Sequence, residues 1–211
     1  MTLRKIFWIV FVVLVIDQVL KAYIKLNYSL TFYGSDAIID WGWFRLLFVE
    51  NKGMAWGARL NDIVPFISDH TAKLLLSIFR LLAVSGIGYW LVRAVKQHAP
   101  KGQLIAVSLI FAGALGNIID SVFYGLLFSN SFGQIATFLP AEGGYAPLMF
   151  GHVVDMFQFP MVSWTWPQWI PGFGGNSFTF FEPVFNVADS AISIGVVLLL
   201  LQQRKTAVQN E

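Results

Sequence analysis

Residues 104–127 read LIAVSLIFAGALGNIIDSVFYGLL. A helix needs about 20 predominantly apolar residues to cross a bilayer core of about 30 Å, and this run meets that length. It nevertheless carries an amide and a carboxylate, Asn117 and Asp120, spaced three apart and so on one helix face. Gly113, Ala114 and Gly116 precede them and permit another helix to approach closely. The pattern predicts a membrane helix whose polar face turns toward neighbouring helices.

Three further stretches have the same apolar character, from about Ile6 to Ile24, Leu74 to Val92 and Val187 to Gln203. Arg4 and Lys5 ahead of the first resemble the start of a signal peptide, but Asp17 and Lys21 interrupt the run and no small-residue cleavage site follows, so it reads as a retained helix. The 211 residues are 56% hydrophobic and 12% charged, against about 25% charged in an ordinary soluble domain. With 20 Phe, 8 Trp and 6 Tyr and a mean hydropathy of +0.65, the chain is neither disordered nor an ordinary water-soluble enzyme. The absence of Cys excludes disulfides, thiolate metal sites, iron–sulfur clusters and cysteine nucleophiles. The expected fold is mainly α, a polytopic membrane protein of four transmembrane helices with a small external β-rich region, forming a single membrane domain over 1–211.

Charge placement orients these spans. Arg4 and Lys5, then Arg93, Lys96 and Lys101, then Arg204 and Lys205 flank the apolar runs at alternate ends, and no Lys or Arg falls between Lys101 and Arg204. The positive-inside rule puts both termini in the cytoplasm and segments of about 27–73 and 128–186 outside. A net charge of +2 therefore reports topology and gives no reason to expect nucleic acid. Outside, Phe44 to Glu50 and Phe178 to Phe181 have strand-like composition. Trp41, Trp43, Trp56, Trp164, Trp166 and Trp169 form either an aromatic belt at the headgroups or a platform for a lipid substrate.

Ionisable residues inside a span cost about 2.5–3.5 kcal/mol each on insertion scales, which marks them for function. Asp17 and Lys21 lie i,i+4 on one face, as a structural ion pair, as the support of a polar cavity, or with Lys21 meeting a lipid phosphate. Arg80, inside the second span, is expected to snorkel outward, with the polar interior as the alternative. At the start of the fourth span, Asn186 and Asp189 fit a helix cap and its dipole as well as they fit a polar site. Asp155 sits in an external apolar run, with His152 three residues earlier. Two carboxylates in a shielded cavity cannot both ionise easily, so one keeps a proton while the other acts as base toward water, the logic of aspartic proteases. No HExxH, G-x-S-x-G or P-loop sequence offers another machinery.

The blocks Asp17-Gln18-Val19-Leu20-Lys21, Asn51-Lys52-Gly53-Met54-Ala55-Trp56, Gly113 to Asp120, Val153-Val154-Asp155 and Phe185-Asn186-Val187-Ala188-Asp189 together resemble lipoprotein signal peptidase, the type II signal peptidase of bacteria. The resemblance covers most of the chain. It implies an aspartic endopeptidase of the bacterial inner membrane, acting as a monomer among membrane lipids without metal or cofactor. Its substrate would be a prolipoprotein cut just before a Cys carrying diacylglycerol. Asp155 and Asp189 would be the catalytic dyad, with Asp17, Lys21, Asn51, Gly53, Asn117, Asp120, Asn186 and Ala188 supporting it.

This chain departs from the family pattern at Met54 and Trp56, where Ala and Phe are expected, and at Ser121, where Arg is usual, so that a cation for Asp120 is missing or supplied elsewhere, with Arg80 one candidate. Its stretches 128–150 and 159–183 are also longer than usual, and a lid over the dyad is the expectation for them. Two other classes compete. A small transporter or channel would also bury Asp, Lys and Arg, although no inverted repeat is present. A non-catalytic assembly factor would tolerate loss of both Asp155 and Asp189.

Overall fold

The computed structural model describes residues 1–31, 36–51, 67–180 and 183–209. Long helices form over all four apolar runs: α1 (Leu3–Asn27), α2 (Asp69–Lys96), α3 (Lys101–Leu127) and α4 (Val187–Gln209). The first three are long and apolar enough to cross a bilayer, and α4 adds a shorter apolar stretch, Val187–Gln202. Each helix outruns its expected span, because backbone hydrogen bonding continues past the apolar core. At the start of α2, for instance, Ser68 Oγ accepts the Thr71 N–H at 3.1 Å and begins the helix several residues before Leu74.

The surface of α1 inverts that of a soluble helix. Asp17, Lys21 and Lys25 are 1%, 0% and 0% exposed, while Phe7 and Val19 are 58% and 61% exposed. Such a helix is solvated by hydrocarbon outside and by its own polar partners inside. α3 packs closely on α4 and on α1, and its small residues are the reason. A Cβ on Gly113 would stand 2.1 Å from the Ala188 carbonyl oxygen, and one on Gly116 would stand 2.7 Å from Asp17 Oδ2. α3 is also not uniform. After Ile119 it widens into a π-turn over Asp120–Tyr124 before closing at Gly125–Leu127, a distortion often found where a helix serves a site.

A four-stranded antiparallel sheet carries the rest of the site. Its order is β1 (Ile39–Asp40), β2 (Arg45–Asn51), β3 (Val153–Gln158), then β6 (Val184–Phe185). A separate hairpin pairs β4 (Val162–Thr165) with β5 (Ser177–Phe180). The strand-like stretches 44–50 and 178–181 thus fall largely on β2 and β5. In the β2–β3 ladder Val49 faces Asp155, Glu50 faces Val154 and Asn51 faces Val153. Opposed residues share a face and successive ones alternate, so Asn51 and Asp155 are on one side, with Glu50 and Val154 on the other. The second side packs into a core of Ile24, Phe48, Tyr124, Phe128, Val154 and Met156.

Residues 128–150 buttress the end of α3. Phe128 bridges Phe138, the Ala146 N–H donates to the Gly125 carbonyl at 3.0 Å, and Ser131 is fully buried. These contacts pack the first insertion against the end of α3.

Candidate active site

Two polar centres meet where the helices reach the sheet. The first is built on Lys21. Its ammonium pairs with Asp17 Oδ2 at 2.8 Å and Asp120 Oδ2 at 2.7 Å, and donates to Asn117 Oδ1 at 3.0 Å. Three acceptors use its three protons. The remaining carboxylate oxygens are also engaged. Asp17 Oδ1 accepts the Ala188 N–H at 2.9 Å, which ties α1 to the first turn of α4. Asp120 Oδ1 accepts Gln18 Nε2 at 2.8 Å, and Asp120 Oδ2 also takes the Val154 N–H at 3.3 Å. Tyr124 Oη donates to Gln18 Oε1 at 3.2 Å and closes the network. Lys21 is therefore an internal counter-ion, and the lipid-phosphate alternative is excluded by its complete burial.

The second centre contains Asp155 and Asp189, joined through Asn186. Asn186 Oδ1 accepts the Asp189 N–H at 2.9 Å and Asp189 Oδ2 accepts the Asn186 N–H at 3.4 Å, a reciprocal cap at the start of α4. The other end of the same side chain, Nδ2, donates to Asp155 Oδ1 at 2.7 Å, and it also lies 3.1 Å from Asn117 Oδ1 and 3.2 Å from the Val154 carbonyl. The capping reading of Asn186 and the site reading are thus both satisfied by one residue. Asn117 Nδ2 donates to Asp189 Oδ1 at 2.7 Å, and Asn51 Nδ2 donates to Asp155 Oδ2 at 3.4 Å.

Among the described residues neither Asp155 nor Asp189 has a cation within ion-pair distance. Burial first, and then the negative charge of Asp189, push the Asp155 carboxyl up to about 7, against the opposing pull of Lys21, Asn51 and Asn186. Asp155 accordingly keeps its proton to a much higher pH than an ordinary aspartate.

Arg80 does not snorkel outward. Its Nη1 donates to Ser121 Oγ at 2.9 Å, and Ser121 in turn donates to the Asn117 carbonyl at 2.9 Å. The guanidinium lies in the field of Asp189, Asp155 and Asp120, strongest from Asp189. Ser121 therefore receives a cation from α2 at the position where the family usually carries one in its own side chain.

The structure brings together Asp17, Lys21, Asn51, Asn117, Asp120, Asp155, Asn186, Ala188 and Asp189, while Gly53, Met54 and Trp56 lie outside the described residues. Sequence reading missed Gln18, Lys25, Glu50, Tyr124 and Ser131. A signal for Lys25 was present, since Asp17, Lys21 and Lys25 repeat every four residues along one face of α1. His152, three residues before Asp155, sets Nδ1 against Glu50 Oε2 at 2.8 Å, and no His/Cys/Asp/Glu cluster fit for a metal occurs among the described residues.

Membrane helices enclose a carboxylate pair that shares one lysine, beside a second pair that among the described residues meets amides, so that carboxylates lie at the centre of a membrane-embedded site. Sequence comparison gives the family directly. The signal peptidase II (SPase II) profile matches residues 9–204, and the chain belongs to that family. It is 44% identical over 199 residues to the lipoprotein signal peptidase of Porphyromonas gingivalis, covering 94% of this chain and 82% of that one. The lipoprotein signal peptidase of Amoebophilus asiaticus is 34% identical over 206 residues, covering 97% and 80%. Among solved structures, a bacterial membrane enzyme determined by the in meso method superposes with a TM-score of 0.58 at 24% identity, covering 98% of this chain and 92% of that one, which supports the fold. The transporter reading is not favoured by any of these likenesses.

Proposed function

We propose that this chain is an aspartic endopeptidase of the bacterial inner membrane that removes the signal peptide from prolipoproteins, cutting before a Cys that carries diacylglycerol. The substrate class follows from the names of its relatives. The observation that carries the catalytic reading is the contrast in partners: Asp17 and Asp120 share a lysine, whereas Asp155 and Asp189 are held by amides alone among the described residues.

In this reading Asp155 and Asp189 share one proton, held on Asp155, whose carboxyl is pushed up to about 7. The ionised partner takes a proton from water as it attacks the scissile carbonyl. Asp155 donates its proton to the carbonyl oxygen, and the dyad then returns a proton to the leaving amine as the tetrahedral intermediate collapses. Asn51, Asn117 and Asn186 fix the four carboxylate oxygens, so little reorganisation is needed during reaction. The chain acts as a monomeric single membrane domain with both termini cytoplasmic, and the substrate's signal helix and acyl chains reach the site from the bilayer.

The test is cleavage of a diacylglyceryl-modified prolipoprotein peptide by the purified protein in lipid-like detergent, beside Asp155→Asn and Asp189→Asn. Cleavage before the lipidated Cys by the parent, with a loss of about 10³-fold or more in each variant, is expected. Cleavage by Asp155→Asn at the parent rate would move the chemistry to another carboxylate, with Asp120 the next to replace.

A further inference from the structure

A third buried charge cluster lies on the face of the sheet opposite the dyad and takes no part in the chemistry above. Lys25 of α1 pairs with Glu50 Oε1 of β2, and Ser131 Oγ lies 2.7 Å from Lys25 Nζ and 3.0 Å from the same oxygen. The Lys25 ammonium sits among the rings of Phe48, Phe128 and Tyr145, 4.8 Å from the centre of the last. Glu50 Oε2 receives His152 Nδ1 at 2.8 Å, and the His152 backbone N–H donates to Tyr145 Oη at 2.7 Å. Burial acts against ionisation of Glu50, but the His152 and Lys25 interactions overcome it and hold the carboxyl down at about 2. Glu50 is therefore a carboxylate throughout the neutral pH range.

A buried ion pair is a poor source of net stability, since an apolar pair of the same volume packs as well or better. What it supplies is a fixed geometry, and here the fixed points are informative. Glu50 immediately precedes Asn51, and His152 lies three residues before Asp155. The one carboxylate thus ties the end of β2 to the beginning of β3 and ties both to α1. Held beside the clamped Glu50, Asn51 pairs with Val153 at the start of β3. Its contact with Asp155, at 3.4 Å, is near the limit of a hydrogen bond and would be lost by a small shift.

We infer that Glu50 is a positioning residue: bridged to Lys25 and His152, it clamps the end of β2 so that the Asn51 amide remains against Asp155. The inference rests on the reading of Asp155 as a member of the dyad. It assigns Lys25, Glu50 and His152 a role in turnover although none of them faces the reacting atoms.

The experiment measures kcat, KM and the pH profile for His152→Ala and Glu50→Gln, each in the parent and in an Asn51→Ala background. In the parent background each is expected to lower kcat about tenfold with KM changed less than about twofold, the scale of a misplacement near 1 Å. In the Asn51→Ala background neither is expected to lower kcat further, because the side chain through which they act is gone. Both single variants also move the alkaline limb of the profile upward, as Asn51→Ala does, since the Asn51 hydrogen bond helps hold the Asp155 carboxyl down.

Equal losses in the two backgrounds, or an unchanged kcat in the parent, would overturn the inference. If Glu50→Gln strands the Lys25 charge and fails to fold, His152→Ala decides alone, because Lys25 and Ser131 still hold Glu50. Parent-like cleavage by Asp155→Asn would sink the dyad and leave the coupling between Glu50 and Asn51 separately measured.

Discussion

The two centres joined by Asn117 use the same residue types to opposite ends. Around Lys21, the carboxylates Asp17 and Asp120 lie 2.8 and 2.7 Å from an ammonium. In the adjoining centre, among the described residues, Asp155 and Asp189 meet only the amides of Asn51, Asn117 and Asn186 and a backbone N–H. An amide orients a carboxylate without neutralising it, so the second pair stays electrostatically frustrated and keeps a proton it can move. A lysine offsets one of the two charges of the first pair. The partners distinguish the two centres, and so does burial, since Asp17 and Asp120 are fully buried while Asp189 is half-buried.

The largest effect should come from breaking the neutralised centre. Lys21→Met leaves Asp17 and Asp120 buried against each other without a cation, and removal of one partner of a buried ion pair costs about 3–5 kcal/mol. Loss of most folded protein, followed by thermal unfolding in detergent, is the expected result. Replacing all three together as Asp17→Asn, Lys21→Met and Asp120→Asn should recover a large part of that stability. If the triple variant were no more stable than Lys21→Met, the ion-pair account of the centre would fail.

The pH dependence sharpens the other half of the comparison. Asp155 titrates near 7 in the folded chain, above about 3.9 in an unfolded one. Its contribution to stability is fully present below pH about 4 and is lost as pH rises through 7. Asp155→Asn should therefore unfold at a higher temperature than the parent at pH 8–9, and the advantage should shrink as pH falls below 7 and vanish only near pH 4. Activity should fall above pH 7, approaching about tenfold per unit as the required proton leaves. Glu50 runs the other way: held down near 2, it contributes stability above about pH 4 that disappears only as pH falls through 2. A flat rate from pH 6 to 9 would contradict the assignment of the shared proton to Asp155.

Much of this was legible in the sequence, and the exceptions have a common cause. The spans were readable because hydrocarbon requires long apolar runs, and the paired blocks at Asn117–Asp120 and Asn186–Asp189 stood out because polar residues there are expensive. Arg80 could be named only as one candidate for the cation missing at Ser121, and the role of Lys25 was not readable, because each depends on a contact between segments distant in the chain. Arg80 meets Ser121 across 41 positions, and Lys25 meets Ser131 across 106. Periodicity shows which face of a helix a residue occupies but not which helix that face meets. The inward turn of Arg80 illustrates the limit: snorkelling follows from one helix considered alone, and α3 supplied the partner that reversed it. The backbone hydrogen bonds that tie the insertion at 128–150 to the end of α3 are likewise contacts between segments that composition does not reveal.

The smallest expected effect concerns that arginine. Ser121→Ala removes one hydrogen bond from Arg80 and one to the Asn117 carbonyl, worth about 0.5–1.5 kcal/mol each in net terms. The guanidinium remains in the field of Asp189, so kcat should fall only a few-fold, about what a loss on that scale produces. Arg80→Gln keeps a donor for Ser121 and removes the charge. If Arg80 acts on the amide-held pair through its charge, the Gln variant must lose more activity than Ser121→Ala, although it disturbs the Ser121 contact less. The reverse order would make the Arg80–Ser121 contact a packing feature of α2 against α3, and the contrast between the two centres would then rest on Lys21 alone.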